Sequence, residues 1–108
     1  MAKPVTLNNE IDRQQKFPFG MSIRNKNTGE LIDISTWQFN FTLKNNLGDV
    51  IWNIPNADIS RPTIYKIYFE KSVAELEQVP SANYTPSLLA TNTDMTDNEI
   101  MKGTWFFK

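Results

Sequence analysis

Asp33, Asp49, Glu70 and Glu75 are the carboxylates whose positions beside apolar segments would suit a glycoside-hydrolysing pair. That chemistry needs two such groups at a defined separation. No sequence feature pairs these four, and each also fits ordinary punctuation, aspartate after a strand or glutamate at a helix start. The run Asp94-Met95-Thr96-Asp97-Asn98-Glu99 gathers hard oxygen ligands of the kind calcium accepts. It lacks the glycine and the full spacing of a calcium-binding loop, so it is read as a solvated loop. Neither cysteine nor histidine occurs among the 108 residues. Thiol nucleophiles, Ser-His-Asp triads and His or Cys metal sites are thereby excluded. The expectation is a chain that is not an enzyme and uses no cofactor or metal.

Aromatic residues are the next candidates. Trp37, Trp52 and Trp105, with Tyr65, Tyr68 and Tyr84, would form a platform for a sugar ring if they were exposed and coplanar. Burial is the simpler account where a ring falls in register with other apolar residues, because each removes a large area from water. Trp37, Phe39, Phe41, Tyr84 and Trp105 are therefore assigned to the core. Trp52 and Tyr68 are left as candidate partner-binding residues, together with Val5 and Leu7 near the N-terminus.

The elements that must position these residues read as strands. Residues 1–16 are polar apart from Val5, Leu7 and Ile11, and form an N-terminal edge strand or assembly arm. In the arm reading, Ala2 to Asn9 add a strand to a neighbouring subunit; in the other, Val5 and Leu7 pair within their own domain. Residues 17–108 form the sandwich domain. Phe17, Phe19, Met21 and Ile23 alternate with Pro18, Gly20, Ser22 and Arg24, and Asn25 to Gly29 make a hairpin turn. Trp37, Phe39, Phe41 and Leu43 then alternate with Gln38, Asn40, Thr42 and Lys44.

Asn45 to Asp49 turn the chain into Val50 to Ile54, which Pro55 ends. Asn56 to Pro62 read as loop and Thr63 to Glu70 as a strand. Ser72-Val73-Ala74-Glu75 has the form of a capping box and predicts one helical turn. Tyr84 to Ala90 is a strand whose Pro86 predicts an edge position or a bulge. Ile100 to Phe107 closes the chain, with Gly103 as a bulge site.

Lysine plus arginine number 11 against 12 aspartate plus glutamate, without a stripe of like charge, so nucleic acid is not an expected partner. No segment approaches the ~20 apolar residues that span a bilayer, and the first residues lack a signal-peptide run. Short strands about 10 residues apart, with no longer helix, predict a two-layer architecture. The fold class expected is all-β, an immunoglobulin-like β-sandwich of about seven antiparallel strands. Trp37 near the third strand sharpens it, as does Tyr84 if it forms a tyrosine corner and is not an ordinary strand tyrosine.

The series Phe17-Pro18-Phe19, Ile23-Arg24-Asn25-Lys26, Gly29, Ile32-Asp33-Ile34-Ser35, Trp37-Gln38-Phe39, Phe41-Thr42-Leu43-Lys44, Gly48 and Val50-Ile51-Trp52 resembles small phage virion modules of the baseplate-upper-protein type. The agreement covers about half the chain in the right order, and Leu76, Val79-Pro80, Asn83-Tyr84 and Ile100 to Trp105 extend it. Thr85-Pro86, where the family often places an aspartate after the tyrosine, and the Thr91 to Asn98 loop depart from it.

The resemblance implies a non-enzymatic building block of a tailed-phage virion, a tail or baseplate adaptor or a head decoration. It would be made in the host cytoplasm and present in symmetric copies, with other virion proteins as partners. The alternative is a carbohydrate-binding sandwich module, which requires exposed aromatic rings.

Overall fold

A computed structural model describes residues 4–25, 27–94 and 96–108. Ala2 and Lys3 of the supposed arm, Lys26 of the first turn and Met95 of the acidic loop lie outside the described residues. Among the described residues ten strands follow in order: β1 (Val5–Thr6), β2 (Asn9–Ile11), β3 (Phe17–Ser22), β4 (Gln38–Lys44), β5 (Val50–Ile54), β6 (Ser60–Thr63), β7 (Lys66–Lys71), β8 (Ala82–Thr91), β9 (Asn98–Lys102) and β10 (Trp105–Phe107). The helix α1 (Val73–Glu77) lies between β7 and β8.

Two layers result. In the larger, β5 pairs with β4, β4 with β8, and β8 with both β9 and β10, which follow one another along the same edge. β1 runs parallel to β9 and β2 parallel to β10, completing a layer five columns wide. The smaller layer is β3-β7-β6. This is an immunoglobulin-like sandwich, as expected, although two of its pairings are parallel and several strands are very short.

Alternation explains how the layers bury one face each. Along β4, Phe39, Phe41 and Leu43 are buried while Gln38 and Lys44 are exposed and Asn40 and Thr42 are intermediate. That is the two-residue period of a strand with one face on the core. From the other layer, Phe19 and Phe69 meet Phe41 at ring-centroid distances of 6.0 and 4.9 Å, and Trp105 meets Phe41 at 5.4 Å. Full burial of each ring contributes about 1.5–3 kcal/mol. This aromatic cluster joins the layers in a chain without cysteine.

Local signals were met at the connections. The Ser72 hydroxyl accepts from the Glu75 N–H and the Glu75 carboxylate accepts from the Ser72 N–H, a complete capping box. Tyr84, 3% exposed, donates its hydroxyl to the Pro80 carbonyl at 2.7 Å, which is the tyrosine corner. Replacing Tyr84 by phenylalanine keeps the ring and leaves that carbonyl without its partner. The expected cost is about 1–2 kcal/mol in urea denaturation, and an unchanged midpoint would show the bond to be idle.

Of the two readings of the N-terminal segment, the pairing is the one within its own domain: β1 and β2 lie along the edge of the larger layer and Ile11 is 2% exposed in the shared core. Three readings change. Ser60 to Pro62, read as loop, belong to β6. Trp37 precedes β4 and is only partly buried, its ring stacked 6.1 Å from Phe39 at the margin of the core. Pro86 is neither at an edge nor exposed, since β8 is central, with β4 on one side and β9 and β10 on the other. Continuing the register of the two flanking pairings places Pro86 opposite Gly103, in the break between β9 and β10. A residue without an N–H is tolerated there because that side of the ladder is already interrupted.

Candidate functional site

The outer face of the five-column layer is the wider of the two outer sheet faces. Asn40 lies opposite Leu89, Thr42 opposite both Ser87 and Asn53, and Lys44 opposite Thr85 and Val50. Ser87 is also opposite Lys102, and Leu89 opposite Glu99. The middle of this face is thus amide, hydroxyl and aliphatic, with Lys44, Lys102 and Glu99 around it. The Ser87 hydroxyl donates to Glu99 Oε2 at 2.6 Å, which fixes that carboxylate against the sheet. Depletion of charge at the centre with a polar rim is the composition of protein-docking surfaces.

Phe106 extends the face at its lower corner. It alternates with the buried Trp105 and Phe107, lies opposite Asn83 and Glu10, and is 39% exposed. Its place between two core aromatics on one strand is the sequence signal for this exposure. Val5 and Leu7 sit at the free edge beside β9, 51% and 41% exposed, and remain available for contact.

Trp52 does not. Its ring is 7% exposed, packs edge-on against Phe107 at 5.5 Å and is covered by Lys71, whose Nζ lies 5.2 Å above it. It is withdrawn as a contact residue and belongs to the core. Tyr68 is half-buried and borders a shallow depression of about 520 Å³ between the two layers, which Asp58, Glu70, Lys71 and Glu75 also line.

Two carboxylates of this depression, Glu70 and Glu75, are engaged. Glu70 accepts from the Tyr68 hydroxyl at 2.9 Å and pairs with Lys16 at 3.4 Å, and both hold its carboxyl below the usual range. The same bond pushes the Tyr68 hydroxyl up. Glu75 is lowered first by the Ser72 N–H and then by Lys71, 3.1 Å away. A glycosidase acid needs its pKa raised, so both shifts run against that role. Asp33 accepts from the Ser35 N–H at 2.9 Å, and Asp49 accepts from the Asn45 side-chain amide at 3.4 Å, both in turns.

In the acidic loop, Asp97 takes a positive φ of 46° and its N–H donates to Thr91 Oγ1 at 2.9 Å. Among the described residues no three carboxylates gather as a metal site. Arg61 escaped notice in the sequence because it stood in a presumed loop. It donates to Trp37 O (2.9 Å), Ile59 O (3.1 Å) and Asn56 Oδ1 (2.7 Å), with its guanidinium 4.7 Å from the Phe39 ring centre. Burial pushes that guanidinium below its usual value.

No protein-family model matches the chain, and no curated protein matches it. Among solved structures, a chain from the crystal structure of the ZIG-8–RIG-5 IG1–IG1 heterodimer is similar to it. The likeness covers 100% of this chain and 87% of that one, with a TM-score of 0.51 and 9% identity. At that identity the likeness concerns the fold alone.

Proposed function

We propose that the chain is a non-enzymatic structural component of a tailed-phage virion, a tail or baseplate adaptor or a head decoration. It acts by docking the outer face of its five-column layer on other virion proteins. The observation that carries the docking reading is the uncharged run Asn40, Thr42 and Leu89 at the middle of that face, with Lys44 on one side and, on the other, Lys102 and the Glu99 carboxylate that Ser87 holds. The resemblance of the Phe17 to Trp52 segment to baseplate-upper-protein modules supports the virion setting. The similar solved domain is itself one half of a heterodimer, which is in keeping with a fold that presents a docking surface.

Such a component works in symmetric copies, so a modest contact repeated around the particle gives firm attachment. The carbohydrate-binding alternative loses its best ring with the burial of Trp52.

Light scattering of the purified chain, alone and mixed with candidate virion proteins, tests the proposal. A complex is expected with one of them, weakened about tenfold or more by Thr42→Arg, which places a charge at the middle of the face. A chain that binds none of them but is retained on immobilised glycan would overturn it.

A further inference from the structure

We infer that the depression between β5 and β7 binds a single sugar residue, stacked on Tyr68 and held through its hydroxyls. The register of the smaller layer creates the space. β6 sets Ser60 opposite Tyr68, and its continuation would bring Asp58 opposite Glu70. A 3-10 turn at Asn56–Asp58 carries the chain away instead, so among the described residues no strand lies beside the end of β7 on that side. About 520 Å³ is left open, within the roughly 300–1,000 Å³ of ligand sites.

Tyr68 supplies the ring. It lies beside Gly20 of β3, where a Cβ would stand 3.7 Å from Tyr68 Cδ1, and its hydroxyl donates to Glu70 Oε2 at 2.9 Å. A ring tied at its hydroxyl is already ordered, so little side-chain entropy is lost when a ligand meets it. The negative face of such a ring attracts the C–H groups of a sugar. The burial of Trp52 removes the multi-ring platform that a long glycan would need, and one ring suits one sugar residue.

The polar groups favour a neutral hydroxylated ligand over a cation. Glu70 is paired with Lys16 and Glu75 with Lys71, so both carboxylates already have their counter-charge. Among the described residues no three acidic groups gather as a metal site. Places for hydroxyls nonetheless remain. Tyr68 and Lys16 both engage Oε2 of Glu70, which leaves Oε1 as an acceptor, and the exposed Asp58 makes no ion pair. Lys71 Nζ adds a donor on the same wall. A sugar hydroxyl both donates and accepts, and so can use this mixture where an ammonium, a donor only, cannot.

Titrating the isotope-labelled full chain with glucose, galactose, mannose and N-acetylglucosamine, each to about 50 mM and followed by amide shifts, tests this, because contact on one ring gives affinity near millimolar. The expected result is a saturable shift at Asp58, Ser60 and Glu70 with at least one sugar. Tyr68→Ala should weaken binding about tenfold or more. Asp58→Asn, at an exposed position, should weaken it too and serves if Tyr68→Ala perturbs folding. Nα-acetyl-lysine amide is the cationic comparison. No shift with any of the sugars, a shift that both variants leave intact, or a response to the lysine derivative alone overturns the inference. Thr42→Arg, on the other layer, should leave sugar binding unchanged, so the failure of this site and the failure of virion docking are read apart.

Discussion

Replacing Gly103 by alanine is expected to pull the N-terminal strand off the sandwich and lower stability by about 2–4 kcal/mol, while the rest of the domain stays folded. A Cβ at this position would collide with the Leu7 carbonyl oxygen and lie 2.7 Å from its carbon. Both are backbone atoms, so no side-chain rotation relieves the contact.

Withdrawing the strand loses the bonds that seat it: Leu7 N–H to Lys102 O (2.8 Å), Asn9 N–H to Thr104 O (3.2 Å), Thr104 N–H to Asn8 Oδ1 (3.0 Å) and Trp105 Nε1–H to Leu7 O (3.1 Å). Each contributes on the order of 1 kcal/mol net, which sets the size of the effect. Urea denaturation should show a lower midpoint, with fast amide exchange at Leu7 and Asn9. Gly20→Ala is the control, since its Cβ would crowd the movable Lys66 side chain and meet Tyr68 at an ordinary 3.7 Å, and it should cost far less. Equal effects of the two substitutions, or protected Leu7 and Asn9 amides in Gly103→Ala, would show that the close approach does not govern this edge.

Arg61→Lys is expected to cost about 2–4 kcal/mol, most of what Arg61→Met costs, although it keeps the charge. Arg61 belongs to β6 in the smaller layer, and one of its nitrogens reaches Trp37 O at the entrance to β4 in the larger one. A second nitrogen holds Ile59 O, and Asn56 Oδ1 accepts from both Arg61 and the Phe39 N–H. The guanidinium fork thus ties the two layers beside the Phe39 ring, and a lysine ammonium cannot span the same acceptors. Arg61 Nε is buried without a partner, so the site already bears some cost of burying this cation. Thermal and urea unfolding of both variants decide the matter. If Arg61→Lys proves neutral, charge over the ring, and not the fork, is what the site uses.

Much of the fold was legible because its signals are local. The strict alternation from Trp37 to Lys44 told which side chains face inward, and Phe39, Phe41 and Leu43 are all buried. Asn45 to Asp49 announced a turn, Ser72 and Glu75 a cap, Gly103 an irregularity, and Tyr84 a corner bond that closes over only four residues. Each follows from φ/ψ preference, side-chain period or a short hydrogen bond, which neighbouring residues decide among themselves.

Other features depended on partners far along the chain. Ser-Arg-Pro-Thr carries no strand signal of its own and becomes β6 only because β7 pairs with it. Trp52 looked like a surface ring until Lys71 of the opposite layer closed over it. Residues 5–11 lie against strands more than ninety positions away, and Pro86 could enter the middle of a sheet because its neighbour breaks at Gly103.

For this protein, the sequence alone determined which faces are apolar and where the chain must turn. Only the tertiary structure decided which strand lies beside which, and therefore which aromatic rings, edges and faces remain open to a partner. The physical reason is that a two-residue period records the side on which a residue lies but carries no label for the neighbour across the ladder.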